Sequence, residues 1–422
     1  MINRILAPEF KKVVEIDFSQ AKNITLDNNI SLHIINAGTQ PVIRFEIIIK
    51  AGAVEEPKPG YSYFTSKILQ EGTKYKSSKE ISRQLDKFGA FLEVNPGNDY
   101  VIIVLYTLSK HLSSVLPILQ DILFNPSFPE DELETLKRIK IQNTKVNQEK
   151  TNYLSSIIFR KSIFGNAHPY GRELLENNIN DITADVLKTF YNQYYHNSWD
   201  IIVSGLIQED DIKIINLYFG KHQVKPTNTS SPNKPSGTPG NHLINKEDSL
   251  QSSIRTGKLL FNKSNKDVHK FKIVNEILGG YFGSRLMKNI REEKGFTYGI
   301  QSNLVSLKQE GYFVIGTDVK KEFTSKTLEE IYKEIKVLQQ EPVDLQELET
   351  VKNYMTGSFL SEINTPFALA DKFKSIYLHD LNYDYYKNFI ATINTITPQE
   401  ILETAQQYLH VDSMTEVIVG GL

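Results

Sequence analysis

The sequence predicts an α+β protein made of two homologous halves, each an antiparallel sheet with helices on one face. Three observations support this prediction: the length of 422 residues, a polar break near the middle of the chain, and a similar order of strands and helices on either side of it. At roughly 150 residues per domain, the length suffices for two or three domains with large cores. Hydrophobic residues make up 40% and charged residues 23% of the chain, which is the balance of an ordinary folded protein.

The composition excludes several classes of function. Lys and Arg number 48 and Asp and Glu number 50, so the net charge of -2 would not attract nucleic acid or an anionic membrane. The absence of cysteine excludes thiol nucleophiles, cysteine-bound metals and disulfides. The first residues do not have the pattern expected of a signal peptide, and the sequence has no apolar run of about 18 residues that could span a bilayer. We therefore expect a cytoplasmic protein that binds neither nucleic acid nor membrane.

The break between the halves is residues 226–241, which read PTNTSSPNKPSGTPGN. Such a segment buries too little apolar area to offset the entropy lost on ordering, so it is typical of an exposed linker. It divides the chain into an N-terminal domain, residues 1–225, and a C-terminal domain, residues 242–422.

An internal duplication relates the halves. ELETLK at 132–137 returns as ELETVK at 347–352 in the second half. Before each copy comes an alternating apolar strand and then an amphipathic helix. These strands are predicted at 99–106 and 311–319, and the helices at 112–123 and 325–338.

The start of the chain predicts a hairpin. Two apolar runs, 24–35 and 42–50, are separated by NAGTQP at 36–41. Strands followed by runs of helices favour the α+β class over a strict alternation of strand and helix.

Two segments contain candidate functional residues. In 60–73, GYSYFTSKILQEGT, a helix between two glycines would place Tyr63, Ser66 and Lys67 on one face. In 278–304, a glycine-rich turn precedes a helix that Ser284 would cap and Gly295 would end, and a strand follows. Taken alone, the first segment is typical of an amphipathic surface helix. The second does not predict a nucleotide loop, because its glycines follow a helix and no GK[ST] is present.

Several motifs resemble those of one family. They are EGT at 71–73, FGA at 88–90, HPYG at 168–171 and above all SRL…IREEKGFTYG at 284–299. Together with the two-half layout, they resemble the M16 metallopeptidases, which include the mitochondrial processing peptidase and pitrilysin groups. The resemblance covers essentially the whole chain, and the length is similar to that of the M16B subgroup. It implies a duplicated M16/LuxS-like metallohydrolase fold.

The resemblance also implies where a zinc site should lie. The family motif HxxEH falls on Tyr63-Phe64-Thr65-Ser66-Lys67, which places Tyr63 and Lys67 at the histidines and Ser66 at the glutamate. The third ligand of the family falls near Asn143 or Thr144. None of these side chains can do the work of its counterpart, and no two of the nine histidines lie two to four residues apart. We therefore predict no metal in this chain.

A second family site is retained. Active M16 enzymes carry an arginine and a tyrosine seven positions apart that bind substrate near the scissile carbonyl, and the matching residues here are Arg291 and Tyr298. Donors of this kind are worth about 3 kcal/mol each when a carbonyl oxygen becomes an oxyanion. Without the family context, Arg291 would be a helix-end charge and Tyr298 a packed strand residue.

The resemblance implies a noncatalytic M16B subunit that pairs with an HxxEH-bearing homologue, as a heterodimer or heterotetramer. The partner would hold the zinc, and this chain would supply Arg291 and Tyr298 in trans to a peptide bound along a sheet edge. The turn GGYFGS is much shorter than the glycine-rich loop of the metal-free subunit of the mitochondrial processing peptidase. One alternative is a structural or peptide-binding homodimer, similar to the core subunits of the respiratory bc1 complex. An autonomous peptidase with another metal site is disfavoured, because no histidine cluster is available.

Overall fold

The computed structural model describes residues 19–197, 199–222, 225 and 233–421. These residues form two sheets with helices packed against them, which confirms the predicted α+β class. The strands of the first sheet are β1 (Lys22–Thr25), β2 (Ser31–Asn36), β3 (Val42–Ile49), β4 (Phe91–Pro96), β5 (Val101–Leu108) and β6 (Trp199–Gly205). Those of the second sheet are β7 (Asn241–Asn245), β8 (Gln251–Leu260), β9 (Thr297–Ser306), β10 (Gly311–Lys320) and β11 (Thr415–Gly420).

The helices follow the same division. In the first half they are α1 (Tyr61–Ile68), α2 (Ser78–Lys87), α3 (Leu112–Phe124), α4 (Glu130–Gln148), α5 (Thr151–Phe164), α6 (Glu176–Asn180), α7 (Ala184–Tyr194) and α8 (Glu209–Phe219). In the second half they are α9 (Val268–Asn275), α10 (Thr324–Gln340), α11 (Leu345–Ser361), α12 (Pro366–Tyr377), α13 (Asp384–Thr395) and α14 (Pro398–Tyr408). Among these helices of the described chain, none is both long and apolar enough to cross a membrane.

The two sheets have the same topology. The first has the order β1-β2-β6-β3-β5-β4 and the second β7-β11-β8-β10-β9, so within the described residues they differ by the extra strand β1. The helices agree with the repeated motif, because the spacing from α4 to α11 and from α5 to α12 equals the spacing between ELETLK and ELETVK. The fold is therefore the predicted duplication of one unit.

The strand pairing departs from the prediction in two ways. Each sheet contains one parallel pair, β2 with β6 and β7 with β11, among otherwise antiparallel neighbours. The predicted hairpin of 24–35 with 42–50 is wrong, because β6 lies between β2 and β3. The first of those runs instead forms a small hairpin of its own, β1 with β2. Local alternation could not reveal a strand that is inserted from much later in the chain.

Each sheet is covered on its second face by a helix of the other half. Helix α12 packs on β2 and β6, with Phe373 against Ile202. Helix α5 packs on β8 and β11, with Phe159 in one apolar cluster with Val417. Helices therefore lie on both faces of each sheet. The prediction of helices on one face holds for the helices that belong to the same half as the sheet, while the other face is covered by a helix of the other half.

Charged residues on strand β3 are part of this contact. Arg44 and Glu46 face α12, and their buried side chains lie 3.0 Å apart. Arg44 also bonds Asp371 at 3.0 Å, and Glu46 accepts from Lys374 at 2.5 Å. Polar residues that alternate with apolar ones normally face water, but here they form ion pairs between the halves.

The predicted linker lies partly outside the described residues, since 226–232 are not among them. Its remaining part runs beside the end of α5, where the backbone nitrogen of Ser236 donates to the carbonyl of Phe164 at 3.0 Å. A Cβ at Gly237 would lie 2.1 Å from the carbonyl oxygen of Ser162, so this close approach requires glycine.

Candidate functional site

The start of helix α1 is held by a buried carboxylate. Glu56 accepts from the backbone nitrogens of Gly60 at 3.1 Å and Ser62 at 2.9 Å, and it pairs with Arg172 at 3.0 Å. Burial raises the pKa of Glu56, while these donors oppose that shift. A negative group suits the positive end of a helix. Arg172 directly follows the HPYG motif. This motif therefore helps to fix the helix that carries Tyr63, Ser66 and Lys67, the residues that match the zinc motif.

The other residues of HPYG have structural partners too. The Nδ1 atom of His168 accepts from the backbone nitrogen of Tyr170 at 3.1 Å, and the Tyr170 hydroxyl donates to Asp99 at 2.5 Å. His168 is buried, and burial lowers its pKa. The motif therefore joins the chain after α5 to the turn between β4 and β5.

On α1, the three residues that match the zinc motif have different environments. Ser66 is fully buried, and its hydroxyl donates to the carbonyl of Tyr63 at 2.8 Å on the same helix. Lys67 reaches strand β4, where its Nζ donates to the carbonyl of Val94 at 2.6 Å. Tyr63 is half-buried, and burial raises the pKa of its phenol.

Helix α4 completes this site with a lysine that the sequence analysis missed. The Nζ of Lys140 lies 4.4 Å from the centre of the Tyr63 ring, an arrangement in which the ring face attracts the cation. Asn143 is exposed and Thr144 is buried, one turn further along the helix. Residues three and four apart share a helix face. Positions 143 and 144, which match the third zinc ligand of the family, could therefore have indicated that Lys140 lies near the same site. We call Tyr63, Lys67 and Lys140 the lysine site.

The charges of this site oppose metal binding. Burial lowers the pKa of Lys67, and the charge of Glu93 opposes that shift. Burial, followed by the positive charge of Lys67, lowers the pKa of Lys140. Among the described residues, no group of three or more His, Asp or Glu side chains could hold a metal ion. Two ammonium groups and no carboxylate ligand therefore do not fit zinc.

The second predicted site lies at the corresponding edge of the second sheet. The chain forms a π-helix over Met287–Glu293, and Gly295 takes a φ of +66° as this helix ends. Edge strand β9 begins directly afterwards at Thr297. The wide π turns are often found at functional sites. Ser284 does stand at the expected cap position, directly before the helix, and its carbonyl accepts from the backbone nitrogen of Lys288 at 3.0 Å. Its buried hydroxyl has no hydrogen-bond partner among the described residues, so the side-chain part of the cap is missing.

The structure brings Arg291 and Tyr298 together. The Nε of Arg291 donates to the backbone carbonyl of Tyr298 at 3.0 Å, and its guanidinium carbon lies 4.5 Å from the centre of the Phe282 ring. The Arg291 side chain is 34% exposed, and Tyr298 is 95% exposed. The hydrogen bond fixes the spacing of the pair and leaves the Tyr298 side chain exposed, while the Nη1 atom of Arg291 lies 3.8 Å from the carboxylate of Glu292.

A cavity adjoins this pair. It has a volume of about 970 Å³, and Tyr298 and Phe296 line it on the side of the second half. On the other side are Lys150 and Thr151, at the junction of α4 and α5. Tyr298 is therefore at the rim of a space between the two halves, and Arg291 contacts this rim through its hydrogen bond to Tyr298.

Sequence comparison identifies the family. Residues 33–170 match the profile described as "Insulinase (Peptidase family M16)", and residues 181–355 match the "Peptidase M16 inactive domain". This chain belongs to the peptidase M16 family.

Curated relatives of this M16 chain carry the names of both proteases and non-peptidases. It is 24% identical over 349 residues to YmxG of Bacillus subtilis, named an uncharacterized zinc protease, covering 82% of this chain and 85% of that one. It is 23% identical over 375 residues to the "Non-peptidase homolog YmxG" of Helicobacter pylori, covering 86% and 84%.

Solved M16-like structures share the fold. A peptidase M16 inactive domain from Pseudomonas fluorescens has a TM-score of 0.85 at 21% identity, covering 95% of this chain and 98% of that one. A protease from Helicobacter pylori has a TM-score of 0.86 at 16% identity, covering 96% and 100%. These likenesses support the duplicated architecture of the M16 chain.

Proposed function

We propose that this M16 chain is a noncatalytic M16B subunit, which pairs with an HxxEH-bearing homologue as a heterodimer or heterotetramer to form a zinc-dependent endopeptidase. The main support for this proposal is the contrast between the two sites of the chain. Arg291 and Tyr298 are joined by a 3.0 Å hydrogen bond and are partly and fully exposed, respectively. In contrast, the positions that match the zinc ligands hold Tyr63 and Lys67, with Lys140 against the Tyr63 ring. The partner supplies the zinc and the general base, and this chain holds no cofactor.

The role of the pair is to bind the carbonyl group that is attacked. The terminal nitrogens of Arg291 and the phenol of Tyr298 are hydrogen-bond donors, and such donors bind more tightly as negative charge develops on the oxygen. Because the side chains of Arg291 and Tyr298 are at least partly exposed, they are able to contact a peptide that another subunit holds. The backbone of that peptide would pair with a sheet edge, which recognises main chain more than side chain.

The relatives support the absence of activity in the chain alone. One family profile is described as an inactive domain, and one relative is named a non-peptidase homolog. A homodimer that binds peptides without cleaving them is the competing proposal, and it predicts no gain on adding an HxxEH homologue. The cytoplasmic location stays a prediction.

The proposal is tested by mixing purified chains. The partner is an HxxEH-bearing M16 homologue from the same organism, and cleavage of a fluorogenic peptide is measured for each chain and for the mixture. We expect little cleavage by either chain alone and clear cleavage by the mixture. Arg291→Ala or Tyr298→Phe should lower turnover of the mixture at least about tenfold, because each removes a donor to the developing charge.

Matched controls separate this role from a general effect of substitution. Arg138→Ala and Tyr75→Phe change an exposed arginine and an exposed tyrosine away from the pair, and they should leave turnover unchanged. Metal analysis should find zinc in the mixture and none in this chain alone. Full turnover with Arg291→Ala and with Tyr298→Phe would contradict the role in trans.

A further inference from the structure

Strand β4 is an edge strand with outward-facing backbone groups. It pairs only with β5 in the described sheet, and the backbone nitrogen of Gly97 donates to the carbonyl of Tyr100 where the two strands meet. Bonded and non-bonded pairs alternate along an antiparallel ladder. The register pairs Val94 with Ile103 and Leu92 with Leu105, so both are non-bonded pairs. The N–H and C=O groups of Leu92 and Val94 therefore point away from β5.

The contact with Lys67 agrees with this assignment. Its Nζ donates to the carbonyl of Val94 at 2.6 Å, which an inward-facing carbonyl would not permit. The neighbouring N–H group of Val94 points to the same side of the strand. The lysine site thus lies beside a free edge, at the point where an added strand would meet it.

The two ammonium groups lack a carboxylate partner in the described structure. The acidic residue that acts on Lys67 is Glu93, and the two form no ion pair within 4.0 Å. Lys140 faces the Tyr63 ring and the charge of Lys67. Two half-buried cations that repel each other are stabilised when an anion binds between them.

We propose that the lysine site binds a carboxylate of a peptide that lies along β4. The ammonium groups of Lys67 and Lys140 and the N–H of Val94 bind the carboxylate, while the outward groups of Leu92 pair with the peptide backbone. The carboxylate is either the C-terminus of the peptide or an Asp or Glu side chain. This inference goes beyond the proposed function, because it concerns the first half and needs no partner subunit.

The strand edge selects a peptide over a small anion. Phe91 is 57% exposed next to Leu92, so an extended chain gains apolar contact as well as backbone hydrogen bonds. Edge strands recognise extended peptides in this way, and flanking groups set the preference.

Three N-acetylated, unlabelled heptapeptides of Ala, Val and Thr test the proposal by isothermal titration calorimetry with this chain alone. The first has a free C-terminus, the second a C-terminal amide, and the third an amide with Glu as its last residue. We expect the first, the third or both to bind about tenfold more tightly than the second, because loss of one charge-assisted contact costs about this much. Higher salt should weaken this preference.

Variants of Lys140 decide whether the site is responsible. Lys140→Gln should remove the preference for carboxylate, while Lys140→Arg should keep it. Lys145→Gln is the matched control, since it removes an exposed lysine from the same helix. Fluorescence of the single tryptophan, Trp199, checks that each variant is folded. Equal binding of all three peptides, no binding of any, or an unchanged preference in a folded Lys140→Gln variant would overturn the inference. Because no partner is added, these results are independent of the test of cleavage.

Discussion

Single side chains show how far a family motif can be transferred. Spacing alone places Tyr63, Ser66 and Lys67 on one helix face, whereas Arg291 and Tyr298 are singled out by the resemblance to the M16 family, in which the matching pair lies seven positions apart. It could not place Lys140 beside Tyr63, because that contact depends on how α1 packs against α4. A local motif shows which residues share one helix face. The side chains that surround them also come from the neighbouring helix, which the motif does not specify.

Burial also decides which side chains are charged in the folded state. His269 is buried against the ring of Tyr385, at 4.5 Å, and that of Phe389, at 5.6 Å. Burial, followed by the charge of Lys272, lowers the pKa of His269 to about 4 from its ordinary 6.5. The unfolded chain therefore takes up a proton first, so the stability due to neutral His269 is present above pH 6.5 and is lost as pH falls toward 4.

His269→Gln tests this pH dependence, since glutamine does not titrate. The unfolding temperatures of the original chain and the variant are measured by calorimetry at about pH 7.5 and pH 5, on either side of the ordinary histidine pKa. We expect the variant to lose less stability than the original chain on acidification. His410→Gln, at an exposed position, should give no such difference. The prediction would be contradicted if the difference in unfolding temperature between the variant and the unsubstituted chain were the same at both pH values.

Secondary-structure elements were predicted well where the chain is locally periodic. The predicted strand 311–319 and helix 112–123 correspond to β10 and α3, with ends that differ by one residue. The predicted hairpin failed because β6 enters the sheet from residues 199–205, far along the chain. The repeat of ELETLK located the second unit, since the same helices follow at the same offset.

The contact between β3 and α12 gives a stability prediction. Arg44 bonds Asp371 at 3.0 Å and Glu46 at 3.0 Å, and the side chain of Glu46 is 1% exposed. Arg44→Met should lower the free energy of unfolding by about 3 kcal/mol, because it leaves buried charges with fewer partners. Urea unfolding followed by Trp199 fluorescence measures this loss.

A surface ion pair provides the comparison. Lys213 pairs with Asp210 at 2.8 Å with both side chains largely exposed, and such pairs contribute little. Lys213→Met should leave the urea midpoint unchanged. An unchanged midpoint for Arg44→Met as well would show that the ion network between the halves does not stabilise the fold.

At the scale of the whole molecule, the exchange of α5 and α12 joins the halves through apolar contacts, in addition to the chain connection. Each of these helices buries apolar residues on the sheet of the other half. Sequence periodicity identifies both helices but not the sheets that they cover, because periodicity shows which face is apolar and not its partner.

Cleavage of the linker tests this arrangement. A protease recognition sequence is inserted within 226–232, and the chain is cut under native conditions. We expect the two pieces to elute together in gel filtration, at the volume of the uncut chain, while a denaturing gel shows that cleavage is complete. Elution of two separate pieces would mean that the helices crossing between the halves do not hold them together.

The exchange of helices has a further consequence during translation. The first sheet is complete once Gly205 has been made, yet α12 begins only at Pro366. At about 5 to 20 residues per second, synthesis of the intervening chain takes roughly 8 to 30 seconds. If the first sheet forms during that interval, its apolar side chains that α12 later covers, Ile35, Ile48 and Ile202, stay exposed on the nascent chain until the helix is made.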